Sequence, residues 1–188
     1  MKKYLPNILS FLRIPLSIAM FGCMKRPIIL VAVYILCGIT DILDGFFARR
    51  FHVVSPLGAK IDGFADIVFY GTAIIIALLN LSFDTPFIVI IAFVATIRVF
   101  NIGLTKGTFR QWGGLHTIGN KAAGAALFVL WPVCVYLGHV PDWAAITAGL
   151  ITFISALEET VLLFSCKTYN PDIKSVFSRT SPNQIKPE

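Results

Sequence analysis

The chain has 188 residues, of which 56% are hydrophobic and only 14% charged, with a mean hydropathy of +0.79 and a formal net charge of +6. That balance is far more apolar than a soluble domain carries, and it reads as a polytopic membrane protein. Cys23, Cys37, Cys134 and Cys166 show no paired spacing, so they read as small apolar residues and support neither a disulfide framework nor a zinc site, and the positive charge is read as topology and attraction to anionic headgroups rather than nucleic-acid binding.

Six apolar segments are expected to span the bilayer, at residues 5–23, 28–48, 58–81, 86–105, 118–138 and 143–165. Each is near the ~20 residues needed to cross the hydrocarbon core. The expected fold is therefore an all-α, six-transmembrane-helix bundle, a single domain over 1–169 followed by a short polar tail at 170–188. Met1-Lys2-Lys3 gives a positive start, but Arg13 in the middle of the first segment argues against a cleavable signal peptide.

The second and third segments carry the acids. Asp41, Asp44, Gly45, Ala48 and Arg49 share roughly one helical face, at i, i+3, i+4, i+7 and i+8. On the next helix Gly58, Asp62 and Asp66 form one stripe at i, i+4 and i+8. If the intervening loop returns the chain, the two stripes meet. Four facing carboxylates repel unless cations sit between them, and oxygen-only ligands select Mg²⁺, Mn²⁺ or Ca²⁺. Arg49 offers a planar fork for a phosphate, and the small residues admit a bulky group or, alternatively, close helix packing.

In the later segments Arg98, Asn101, Lys106, Arg110, His116, Asn120 and Lys121 gather on the same predicted side. Lys106 and Arg110 read as snorkelling topology signals, and His116 as a lone hydrogen-bonding residue. Arg98, inside a span, and Lys121, opening one, are candidate contacts for a phosphate-bearing substrate, with Glu158 or Glu159 as a competing partner for Arg98.

Lys2, Lys3, Arg49, Arg50, Lys60, Lys106, Arg110, Lys121 and the basic residues of the tail fall on one side of a six-span arrangement, against Lys25 and Arg26 on the other. The positive-inside rule puts the acids and both termini in the cytoplasm of a bacterial-type cell membrane.

The string Asp41-x2-Asp44-Gly45-x2-Ala48-Arg49-x8-Gly58-x3-Asp62-x3-Asp66 resembles the signature of the CDP-alcohol phosphotransferase (phosphatidyltransferase) family, with all eight specified positions present. At roughly 1 in 20 per residue type, chance agreement is on the order of 10⁻¹⁰ per register. Pro6-Asn7-x2-Ser10-x2-Arg13 also resembles the family, with Ser10 where Thr is expected. The resemblance implies a CDP-linked donor, most often CDP-diacylglycerol, bound through its diphosphate to two Mg²⁺ or Mn²⁺ ions. A small alcohol attacks the phosphorus nearer the lipid, and CMP leaves. It makes Asp41, Asp44 and Asp62 metal ligands, and Asp66 both a ligand and the general base. Arg49 would hold the diphosphate, Gly45, Ala48 and Gly58 would admit the cytidine, and the protein would be a homodimer.

Among acceptors glycerol 3-phosphate ranks first, because its phosphate suits the basic cluster, and serine second. Transfer of a CDP-alcohol onto diacylglycerol is the other arrangement of donor and acceptor. Outside this class, a cation transporter or channel could also use intramembrane acids, but it has no evident use for Arg49 and the small residues.

Overall fold

The computed structural model describes residues 5–51, 53, 55–110 and 117–165. Lys2, Lys3, His116, Cys166 and the tail from 170 lie outside them. The described chain is all-α: α1 (Leu5–Gly22), α2 (Pro27–Arg50), α3 (Pro56–Asn80), α4 (Thr85–Phe109), α5 (Ile118–Leu137) and α6 (Asp142–Ser165).

Local chemistry explains the boundaries. Proline stands in the first turn of α2, α3 and α4, where its missing N–H costs nothing. Ser55 caps α3, its Oγ accepting from the Gly58 N–H at 3.0 Å. Gly138, at φ +74°, takes the left-handed conformation that ends α5. The expected segments match these helices closely, although α4 runs past residue 105 to Phe109 and the acidic motif interrupts neither α2 nor α3.

Five helices, α2 to α6, are long and apolar enough to cross a membrane, while the apolar part of α1, Pro6–Gly22, is shorter. The helices' outer faces carry what water would not tolerate: Ile28, Ile67 and Phe164 are each about 70% exposed, among some forty large apolar side chains of the described residues that are more than a third exposed. Apolar surface on that scale, on helices of membrane-spanning length, is lipid-facing, which makes the chain an integral membrane protein.

The chain falls into two compact units, one of residues up to Ser82 together with Pro132–His139, the other of Phe83–Trp131 with the described residues from Val140 onward. In the first, α1 packs on both α2 and α3. Met20, Leu30, Cys37, Ala65 and Ile76 are buried there, and Tyr34 meets Phe69 with ring centroids 5.2 Å apart. In the second, α4 packs on α6 through small residues. Ala145, Ala148 and Ala156 are buried, and a side chain at Gly149 would collide with Ile90.

A four-carboxylate cluster around Arg13

Within the first unit the α2 and α3 stripes meet, as the spacing of their acids requires. Carboxylate oxygens of Asp41, Asp62 and Asp66 lie within 4.8 Å of one another. At their centre is Arg13 of α1, whose side chain is wholly buried. Its Nη1 reaches Asp41 Oδ1 at 3.0 Å and Asp62 Oδ1 at 3.4 Å and contacts Asp66, while Nη2 contacts Asp44 Oδ2. Ser10, one turn earlier on α1, donates from Oγ to the same Asp44 oxygen at 2.9 Å.

The four acids are not equivalent. Asp44 is 5% exposed and tied to Ser10 and Arg13, whereas Asp41, Asp62 and Asp66 are 37–42% exposed. Three carboxylates therefore remain open to an incoming ion. With all four ionised, one guanidinium leaves three negative charges uncompensated. That excess, presented by oxygens alone, fits hard divalent cations such as Mg²⁺ or Mn²⁺.

A cavity of about 160 Å³ adjoins the cluster, with Gly45, Ala48, Gly58 and Ala59 as its small-residue lining and Asn7, Ser10, Asp44 and Asp62 as its polar one. The two motif glycines play different parts. A side chain at Gly58 would come within 2.8 Å of Asn7 Oδ1 and 3.1 Å of Ser55 Oγ, so Gly58 serves close packing of α1 and the α3 cap. At Gly45 the nearest atoms are Nη1 and Nη2 of Arg49, both 3.8 Å away, so the Arg49 guanidinium lies over open backbone. A larger cavity of about 590 Å³ sits at the far ends of α1 and α3, beside Cys23, Lys25, Arg26 and Asn80. It has no carboxylate in its wall and is not the site of this chemistry.

Arg98 and Lys121 belong to the second unit. Arg98 Nη1 donates to Asn120 Oδ1 at 2.9 Å, Nη2 to Ser155 Oγ at 3.4 Å, and Nη1 lies 3.6 Å from Glu159 Oε2. Asn101, buried nearby, donates to the Ala156 carbonyl and accepts from Thr160. Of the two glutamates set against Arg98, Glu159 is the partner, and Glu158 instead lies against Gly119. Lys121 is exposed in the first turn of α5.

Sequence reasoning placed the acids but gave Arg13 and Ser10 no role in the cluster. The available signal was Arg13 itself, an arginine mid-way along an apolar helix that needs anionic partners.

The sequence profile of the family described as CDP-alcohol phosphatidyltransferase matches residues 3–157. The chain is 32% identical over 198 residues to the CDP-diacylglycerol--glycerol-3-phosphate 3-phosphatidyltransferase of Rickettsia felis, covering 89% of this chain and 97% of that protein. The Rickettsia typhi protein of the same name is 27% identical over 190 residues, with 89% and 99% covered. The CDP-diacylglycerol--inositol 3-phosphatidyltransferase of Candida albicans is 36% identical over 64 residues, and the match spans 34% of this chain and 28% of that protein. No solved structure matches. With a profile spanning most of its length and every position of the acidic signature in place, the chain belongs to the CDP-alcohol phosphatidyltransferase family of transferases.

Proposed function

We propose that the protein makes phospholipid by transferring a phosphatidyl group from CDP-diacylglycerol to glycerol 3-phosphate, releasing CMP. The observation that carries this reading is the set of three open carboxylates, Asp41, Asp62 and Asp66, beside a small-residue cavity in a membrane helix cluster. Likeness over almost the full chain to proteins named for glycerol 3-phosphate, against about a third of the chain for the inositol relative, supports that acceptor over inositol.

Asp41, Asp44, Asp62 and Asp66 are the proposed ligands. Two Mg²⁺ or Mn²⁺ ions bound there would orient the diphosphate and neutralise charge developing on it. Arg49, lying over Gly45, grips the diphosphate with its fork, and Gly45 and Ala48 leave room for the cytidine in the cavity that Gly58 also lines. Asp66, one of the three partly exposed acids, takes the proton of the acceptor hydroxyl as that oxygen bonds to the phosphorus nearer the lipid and the bond to CMP breaks. Arg98 and Lys121 are assigned to the acceptor, Arg98 through the third of its side chain that its partners leave exposed. Lys60, Lys106, Arg110 and Lys121 support a cytoplasmic site. A homodimer belongs to the same proposal, on the family resemblance.

The test is purified protein with labelled CDP-diacylglycerol and a panel of glycerol 3-phosphate, serine and inositol, read by product mass. Phosphatidylglycerophosphate is the expected product, formed with CMP in equal amount. A different lipid product would move the acceptor assignment, and CMP release independent of any alcohol would remove the transfer reaction.

The glycines provide a second check. Gly58→Ala must move the Asn7 side-chain amide and press on the Ser55 hydroxyl that caps α3, and a loss of about 1 kcal/mol in detergent stability, the scale of a disturbed cap, is expected. Gly45→Ala meets nothing closer than 3.8 Å and should leave stability unchanged while raising the donor KM about tenfold, the cost of ~1.4 kcal/mol of lost fit. An unchanged donor KM in Gly45→Ala would place the cytidine elsewhere.

A further inference from the structure

Arg13 has an unusual commitment of donors. A single nitrogen, Nη1, faces Asp41, Asp62 and Asp66 together, although it carries two hydrogens for three carboxylates. Nε, equally buried, has no hydrogen-bond partner. The guanidinium is thus placed by charge rather than by a complete hydrogen-bond set. The three carboxylates that Nη1 faces are also the three whose oxygens come within 4.8 Å of one another. Nη2 has a separate anchor, the buried Asp44 oxygen that also accepts from Ser10.

We propose that Arg13 is a positioning residue, the cluster's own cation: it holds Asp41, Asp62 and Asp66 together in the ion-free protein and competes with the divalent ion that binds them. The inference rests on the reading of these acids as the ion site. An arginine in this position prevents the carboxylates from driving α2 and α3 apart before an ion arrives. Its charge also weakens the ion's binding, because two cations share one set of ligands. Nη2 keeps its contact with Asp44, whose oxygen Ser10 also holds, when Nη1 is displaced.

A purely structural arginine predicts the opposite sign. If Arg13 only kept the ligands in register, removing it would loosen the site and weaken ion binding. Full-length protein in detergent, titrated with Mn²⁺ and read by the electron paramagnetic resonance of free Mn²⁺, separates the two. Arg13→Gln is expected to bind Mn²⁺ about tenfold more tightly than the unaltered chain, the scale of one nearby charge. In excess chelator the same variant should melt at a lower temperature, and Mn²⁺ should close the gap.

Arg13→Lys keeps the charge but cannot reach Asp44 and the open trio together, so its Mn²⁺ affinity should fall between the two. It also decides the matter if Arg13→Gln does not accumulate. Equal or weaker Mn²⁺ binding by the variants, or no loss of melting temperature in chelator, overturns the role given to Arg13 while leaving the ion site in place. No Mn²⁺ binding by any form, the unaltered chain included, overturns the ion site and this inference with it.

Discussion

Replacing Asp62 or Asp41 by Asn is expected to reduce CMP release by about a thousandfold, because a lost ligand in such a site forfeits several kcal/mol of charge stabilisation during transfer. The substitution preserves shape and removes one negative charge from a cluster that holds four carboxylates against one guanidinium. The ion-free fold should therefore be no less stable, and its melting temperature in chelator should hold or rise. Loss of activity without loss of stability separates a ligand from a packing residue. Excess chelator should silence the unaltered enzyme in the same way, with Mg²⁺ or Mn²⁺ restoring it. Near-normal rates in both variants, or turnover in chelator, would show that these acids do not hold a catalytic ion.

Arg98→Ala is expected to destabilise the protein in detergent by about 2 kcal/mol. Glu159 is 4% exposed, and the substitution removes the guanidinium that lies 3.6 Å from its buried carboxylate. Breaking a fully buried pair costs about 3–5 kcal/mol, and the figure here is lower because Arg98 is a third exposed and 3.6 Å away. Adding Glu159→Gln removes the buried negative charge that faced the guanidinium and should recover much of the loss. If Arg98 also contacts the acceptor, the stabilised double variant will keep a raised KM for glycerol 3-phosphate and an ordinary one for the donor. Recovery of both stability and acceptor KM in the double variant would confine Arg98 to a structural role.

The helices and the acidic site differ in how far the sequence discloses them. Apolar segments bounded by Pro27, Pro56 and Pro86 mark helix starts without tertiary information, since proline in a first turn is a local preference. The stripes of Asp41 and Asp44 and of Asp62 and Asp66 are equally local, because helical periodicity alone fixes which residues share a face. What periodicity does not supply is the third helix. Arg13 lies 28 residues before Asp41 in the chain, and only the packing of α1 on both α2 and α3 turns two acidic faces into a cluster with a cation inside. The choice between Glu158 and Glu159 has the same character. Adjacent residues on α6 point about 100° apart, so the rotation of that helix against α4 decides which one meets Arg98.

The burial of Arg13 also bears on how the protein reaches the membrane. A lone arginine at the centre of a helix costs about 2.5–3.5 kcal/mol to insert on translocon-derived scales, and the aspartates of α2 and α3 carry penalties of similar size. Taken singly, α1 is short, charged in its middle and poorly suited to remain in hydrocarbon. Its neighbours offset that penalty by supplying carboxylates that the guanidinium can reach. The helix that follows α1 in the chain already brings two carboxylates to that guanidinium, so the arginine has its counter-charge before α3 is reached, and it is the acids of α3 that enter as net charge for a further cation to neutralise.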